Sequence, residues 1–296
     1  MKKVVFKGAA VALITPMNKD GSVNYEKLKE LVEFQINGGT DAIIACGTTG
    51  EAATLDIDEH IEVIKKTVEY AAGRVPVIAG AGSNDTAFAV STVKMAEQVG
   101  ADALLVVTPY YNKTSQAGLI AHFTAIANST SLPIILYNVP SRTGTNIKPE
   151  TYKELSKIEN IVATKEASGD LSAVAKIANL CGDDLNLYSG NDDQIVPIMS
   201  LGGLGVISVL SNVAPKEAHD ICQYALDGDF AASRKLQLEY LPLINALFSD
   251  VNPIPVKEAL NIMGMEVGEC RLPLVKMSDS AREALKAEMA KVGLVK

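Results

Sequence analysis

The sequence predicts a (β/α)8 barrel with a C-terminal helical appendage, on three observations. Short apolar runs rich in β-branched residues recur at 10–15, 41–46, 75–79, 103–108, 133–137, 161–165, 185–189 and 206–210, their starts roughly 20 to 35 residues apart, the length of one βα unit. The runs are continuous rather than alternating, as in parallel strands buried on both faces. The segments between them repeat their apolar residues with the helical period. An open doubly wound sheet is the alternative arrangement of the same units.

Taken in order, the first run lies behind Lys2 and Lys3, an opening that faintly resembles a signal peptide. Lys7 interrupts the apolar stretch and Pro16 follows it, so it reads as the first strand. Helix 25–36 places Leu28, Leu31, Val32 and Ile36 on one stripe, and Gly38-Gly39 ends it. Helix 59–71 does the same through Ile61, Ile64, Val68 and Ala71, with Asp58 as its expected cap. Asn84-Asp85 cap a helix beginning at Thr86 that Gly100 closes, and Pro149 occupies a first helical position. In the sixth strand, alternation places Lys165 on the face of Ile161 and Ala163, taken as the barrel interior. Gly202, Gly203 and Gly205 precede the eighth strand rather than follow it, so they read as a structural turn and not a phosphate loop. Beyond 210 only helical periodicity remains, including 232–247 and 281–291, too long for one closing helix. The expected division is a barrel over 1–212, its closing helices free to extend further, and a helical region over 213–296.

Composition narrows the function. A chain of 296 residues, 48% hydrophobic and 21% charged, can bury a large core. Its net charge is −8, and no basic run exceeds Lys2-Lys3 or Lys65-Lys66, which argues against nucleic acid and anionic membranes as partners. No apolar run reaches the length of a membrane span. Cys46, Cys181, Cys222 and Cys270 form no CxxC pair and read as buried thiols of a reduced, cytoplasmic compartment. His60, His122 and His219 lie on separate helical segments without metal-ligand spacing, so no metal site is expected.

In a barrel the chemistry lies at the C-terminal ends of the strands. Here those ends read Gly47-Thr48-Thr49-Gly50-Glu51, Thr108-Pro109-Tyr110-Tyr111-Asn112, Tyr137-Asn138-Val139-Pro140-Ser141-Arg142-Thr143-Gly144, Lys165-Glu166-Ala167-Ser168-Gly169 and Ser189-Gly190-Asn191. Taken singly, each has a plain structural reading. Lys165 reads first as a strand-end lysine reaching solvent, Tyr137 as a core tyrosine, and Arg142 as the partner of a surface acid. Tyr110 and Tyr111 read as exposed aromatics or an interface anchor, and Thr48 and Thr49 equally as a turn or as a nest of amides suited to a carboxylate. Taken together at one rim, they are the parts for carbonyl chemistry on an anionic substrate. An amine that gives up its proton on burial attacks a ketone, a phenol moves protons, and amides with a guanidinium hold carboxylates.

The same motifs carry a resemblance along essentially the whole chain. Ala12-Leu13-Ile14-Thr15-Pro16, the five strand-end segments, Asn252-Pro253-Ile254-Pro255-Val256-Lys257 and Arg271-Leu272-Pro273-Leu274 together resemble the dihydrodipicolinate synthase family of pyruvate-dependent class I aldolases. The resemblance implies a lyase that condenses pyruvate with L-aspartate 4-semialdehyde, entering diaminopimelate and lysine biosynthesis without a cofactor. By it, Lys165 matches the Schiff-base lysine and Tyr137 the acid–base tyrosine. Thr48 links Tyr137 to a second tyrosine, Tyr111, contributed by a neighbouring subunit of a homotetramer. Thr48 and Thr49 hold the pyruvate carboxylate, Gly190 and Ile207 lie near pyruvate, and Arg142 binds the aldehyde's carboxylate. His60, Asn84 and Tyr110 match part of a separate lysine-effector site. Ile57 and Phe88 stand there where lysine-sensitive relatives often carry histidine and glutamate, so feedback by lysine is expected to be weak or absent. N-acetylneuraminate lyase and keto-deoxy sugar acid aldolases share the lysine and Tyr137 position. The paired threonines and Arg142 resemble them less. A non-catalytic binding barrel would have lost the amine or the phenol, and both are present.

Overall fold

The computed structural model describes residues 2–296 and is a closed barrel of eight parallel strands in sequence order. They are β1 (Gly8–Ala12), β2 (Ala42–Ala45), β3 (Val77–Gly80), β4 (Ala103–Val107), β5 (Ile134–Asn138), β6 (Ile161–Glu166), β7 (Asn186–Ser189) and β8 (Gly205–Ser208). The helices are α1 (Tyr25–Asn37), α2 (Ile57–Ala71), α3 (Thr86–Gln98), α4 (Gln116–Ala127), α5 (Pro140–Thr143), α6 (Pro149–Leu155), α7 (Leu171–Cys181), α8 (Ile195–Ser200), α9 (Pro215–Leu226), α10 (Phe230–Ala246), α11 (Ile254–Ile262) and α12 (Asp279–Lys291). Each of the eight apolar runs holds a strand, so the barrel replaces the open sheet. The last run is cut short because Val209 and Leu210 turn into a 3₁₀ segment over Leu210–Asn212. No helix is long and apolar enough to cross a membrane among the described residues.

Two apolar layers follow from strands buried on both faces. Val11, Ile43, Leu104, Leu136 and Val206 face outward and pack beneath the helices, while Ala10, Ile44, Leu105, Ile135 and Ile207 fill the interior. Phe6 and Tyr188 stack at 4.3 Å between ring centroids within that inner cluster, the phenol donating to the Phe6 carbonyl at 2.6 Å. Closure brings β8 against β1 so tightly that a Cβ on Gly205 would lie 1.8 Å from the Gly8 carbonyl oxygen. The glycines ahead of β8 are thus a structural turn and contact, as expected.

Two expectations need correction. The cap of α2 is Asp56, not Asp58: its carboxylate accepts from the Glu59 amide at 2.9 Å, while the Glu59 side chain accepts from the Asp56 amide, a capping box. And Ile161 does not share a face with Lys165. Ile134 pairs with Ile161 but Ile135 with Ala163, a one-residue irregularity that turns Ile161 to the outer layer and leaves Ala163 inside. Lys165 still faces inward, set by the residues after the irregularity.

The C-terminal helices are packed against the barrel rather than detached from it. α9 lies on β1 and α10, and α10 in turn contacts α8 and α12.

Candidate active site

At the ends of β5 and β6, Tyr137 and Lys165 stand directly opposite each other in register. Both are buried, and the Lys165 ammonium position lies 4.3 Å from the centroid of the Tyr137 ring. That contact is a cation–π approach. No acid lies within ion-pair distance of Lys165 among the described residues. Gly190, at the end of β7, seals the other side of the lysine stem. A Cβ there would come within 2.7 Å of the Ala167 Cβ and 3.1 Å of Lys165 Cγ. Ile207 is fully buried in the same inner cluster as Tyr137.

After β2 the chain turns sharply, with Cys46 and Glu51 both at φ 56°. A Cβ on Gly80 would fall 2.1 Å from the Cys46 carbonyl oxygen, so β3 presses against that turn through glycine. The turn presents Thr48 to the cavity and buries Thr49, whose hydroxyl accepts from Asn252 Nδ2 at 3.0 Å. Glu51 is buried behind it. Its Oε1 lies 2.7 Å from Lys257 Nζ, and its Oε2 accepts from the Arg271 amide at 2.8 Å. A buried pair from the C-terminal region therefore anchors the loop that carries both threonines.

A cavity of about 320 Å³ opens over the ends of β2 to β5; Lys165, Thr49, Gly190 and Ile207 lie outside its lining, Lys165 beneath the Tyr137 ring that forms part of it. Thr48, Tyr137 and Arg142 share its lining, with Tyr110 at the rim. Arg142, in the short helix α5, donates to the Asn252 carbonyl at 3.1 Å and keeps its remaining donors free of protein partners among the described residues. The same cavity continues past Leu55, Ile57, His60 and Phe88, so that arm is predominantly apolar. Burial pushes the His60 imidazole below its ordinary range, and its Nε2 lies 2.7 Å from the Gly80 carbonyl, the geometry of a neutral ring donating.

Not every predicted site residue is brought in. Tyr111 is 91% exposed at φ 69° and points away from the cavity of its own chain. No hydrogen bond joins Thr48, Tyr137 and Tyr111 among the described residues. Asn84 borders a neighbouring polar hollow with Lys113 and His122 instead of the main cavity. Three residues escaped the sequence reading. Asn252 holds Thr49 and Arg142 at once. Asp192, fully buried after β7, accepts from the Val209 and Leu210 amides at 3.0 Å each, with its other oxygen unpartnered among the described residues. Burial raises its carboxyl, an effect opposed by the Ser208 hydroxyl, by those two amides and by the charge of Lys165. Glu166, noticed only as part of a motif, is buried behind Lys165. Asn252 left no local signal, since its partners lie more than a hundred residues away; Asp192 stood two residues past a strand-end glycine.

A buried lysine over a tyrosine at the mouth of a closed parallel barrel defines a barrel enzyme of the class I aldolase kind. The chain belongs to the dihydrodipicolinate synthetase family, whose model matches residues 5–292. It is 60% identical over 292 residues to the 4-hydroxy-tetrahydrodipicolinate synthase of Lachnoclostridium phytofermentans, covering 98% of this chain and 99% of that one. The chloride-inhibited dihydrodipicolinate synthase of Acinetobacter baumannii, solved with pyruvate, superposes with a TM-score of 0.97 at 43% identity, over 99% of this chain and 100% of that one. The enzyme of Cyanidioschyzon merolae, solved with lysine bound, gives 0.96 at 42% identity over 99% and 100%.

Proposed function

We propose that this chain condenses pyruvate with L-aspartate 4-semialdehyde to 4-hydroxy-tetrahydrodipicolinate, the first committed step of diaminopimelate and lysine biosynthesis. The observation that carries the reading is the buried Lys165 amine over the Tyr137 ring, beside a cavity that Thr48 and Arg142 share. Family membership and relatives of the same name over nearly the whole chain favour it over the neuraminate and sugar acid lyases.

The steps follow from the groups present. The Lys165 amine adds to the pyruvate ketone, the Tyr137 phenol gives a proton to the departing hydroxyl, and loss of water leaves a protonated iminium, an electron sink, with Tyr137 as phenolate ready to take the methyl proton. The Thr48 and Thr49 amides hold the pyruvate carboxylate. A methyl proton leaves through Tyr137 and Thr48 toward Tyr111 of a second copy, giving an enamine whose carbon attacks the aldehyde while Arg142 holds its carboxylate. The aldehyde oxygen takes up a proton and becomes the hydroxyl. The second substrate's amine then adds to the iminium carbon and expels Lys165 as a free amine, closing the ring.

Assembly belongs to the same reading. An exposed Tyr111 that leaves its own cavity supports a partner's use of it, in a homo-oligomer we take as a dimer of dimers. Residues 1–212 form the catalytic barrel, and 213–296 support it through Lys257. Unpaired, mostly buried cysteines are in keeping with a cytoplasmic enzyme. Ile57 and Phe88 in the cavity's apolar arm offer a cationic effector no carboxylate, so we infer weak or absent inhibition by lysine. A coupled assay with pyruvate plus aspartate semialdehyde, run beside one with sialic acid, tests the function. Turnover of only the sugar acid would overturn it.

A further inference from the structure

Arg142 sits on α5, a helix of four residues closed by Gly144 at φ 66°. So short a helix has no stability of its own, and what fixes it lies elsewhere in the fold. Its guanidinium has one protein partner among the described residues, the Asn252 carbonyl. The backbone beside it is held from the end of β4. Thr143 Oγ1 accepts from the Thr108 hydroxyl at 3.2 Å and from the Thr145 amide at 3.1 Å. It donates to the Thr145 carbonyl at 3.0 Å, with the Val139 carbonyl at 3.2 Å as the alternative acceptor. The Thr145 hydroxyl donates in turn to the Pro109 carbonyl at 2.8 Å. All three threonines are buried, so water cannot replace a lost bond. A further contact closes the seam: a Cβ on Gly144 would fall 2.8 Å from Lys113 Cε, so the lysine stem lies directly over the glycine.

Two loops that carry site residues are thereby joined. The β4 loop bears Tyr110 at the cavity rim and Tyr111 at φ 69°, and the β5 hairpin bears Arg142. Thr143 borders the cavity, yet its hydroxyl proton and both lone pairs are taken by protein groups, which leaves nothing for a substrate. We propose that Thr143 is a positioning residue: its hydroxyl sets where the Arg142 guanidinium stands, and through Arg142 it governs how the second substrate's carboxylate is held. The inference rests on the role given to Arg142 above. Guanidinium–carboxylate pairing is sensitive to placement, and a shift of about 1 Å costs up to about a hundredfold in rate. With Thr145 and Lys113 still holding the seam, loss of one hydroxyl should cost less, about tenfold. Lys165 lies on β6 and the threonines that hold pyruvate follow β2, all outside the seam, so the signature is confined to the aldehyde.

The test compares the full-length unaltered enzyme with Thr143→Val, Thr143→Ser, Arg142→Ala and the double variant Thr143→Val/Arg142→Ala by steady-state kinetics. Thr143→Val keeps the shape and removes the hydroxyl. It should lower kcat/KM for L-aspartate 4-semialdehyde about tenfold, chiefly through KM, with pyruvate KM and the fraction trapped by pyruvate and borohydride within about twofold. Thr143→Ser keeps the hydroxyl and should stay within about threefold of the unaltered enzyme. Because Thr143 acts through Arg142, Thr143→Val should change the aldehyde kcat/KM by less than about twofold once Arg142 is alanine. A full tenfold loss in that background, or an equal rise in both KM values, would mean a merely structural role and overturn the proposal. So would an unchanged aldehyde kcat/KM in Thr143→Val beside a reduced one in Arg142→Ala. If Thr143→Val does not fold, Thr145→Val, which removes only the tether to Pro109, decides by the presence or absence of the same aldehyde-specific loss. No loss in Arg142→Ala would instead defeat the Arg142 reading itself.

Discussion

Replacing Lys257 by methionine tests how the helical region supports the site. Lys257 and Glu51 are 2% and 1% exposed, 2.7 Å apart, and separated by 206 residues of chain. Methionine fills similar volume but leaves the Glu51 carboxylate buried with the Arg271 amide as its remaining hydrogen-bond donor. Stranding one partner of a buried pair costs about 3–5 kcal/mol. At about 2 °C per kcal/mol for a chain of this size, calorimetry should show Tm lower by about 6–10 °C. An unpaired buried carboxylate takes up a proton more readily in the fold than in the unfolded chain. The variant's deficit should therefore shrink as pH falls from 8 to 5, because that folded-state proton stabilises at low pH and is lost as pH rises. Because Glu51 ends the loop carrying Thr48 and Thr49, KM for pyruvate should rise too. A Tm within 1 °C of the unaltered protein, with no change in its pH dependence, would refute the reasoning.

Other outcomes follow from the same geometry. Arg142→Ala should lower kcat/KM for the aldehyde by about 1.5–3 kcal/mol, roughly 10- to 150-fold, with pyruvate KM unchanged. Gly190→Ala forces a methyl to 2.7 Å from Ala167 and 3.1 Å from the lysine stem. It should lose about 1–3 kcal/mol of stability and at least tenfold in kcat, read by denaturant unfolding and initial rates. Lysine titrated into the assay should leave activity largely intact; half-inhibition below millimolar concentration would contradict the reading of Ile57 and Phe88.

Much of the barrel was legible because its signals are local. Continuous apolar runs and helical periodicity mark each βα unit, and strand ends collect the reactive side chains. Alternation misled at Ile161, because a strand irregularity shifts the inside-outside pattern without leaving a mark in residue type. Asp58 was a plausible cap beside the true one, Asp56, whose partner Glu59 is three positions on. Tyr137, Thr48 and Arg142 were found through motif and rim position, and the cavity brings them together. Lys257 and Asn252 were quoted only within a motif. Their work is done across the fold, and no periodicity encodes a contact that distant. Glu166 was hidden by Lys165 beside it: its burial exists only once α6 covers β6.

The central claim is that Lys165 carries the substrate. Incubation with pyruvate and borohydride, followed by peptide mass analysis, tests it most directly. The expected result is reductive addition of pyruvate to the peptide containing Lys165, abolished in Lys165→Ala and undiminished by alanine at the exposed lysines Lys157 and Lys216. An active enzyme that acquires no adduct, or acquires it elsewhere, would contradict it.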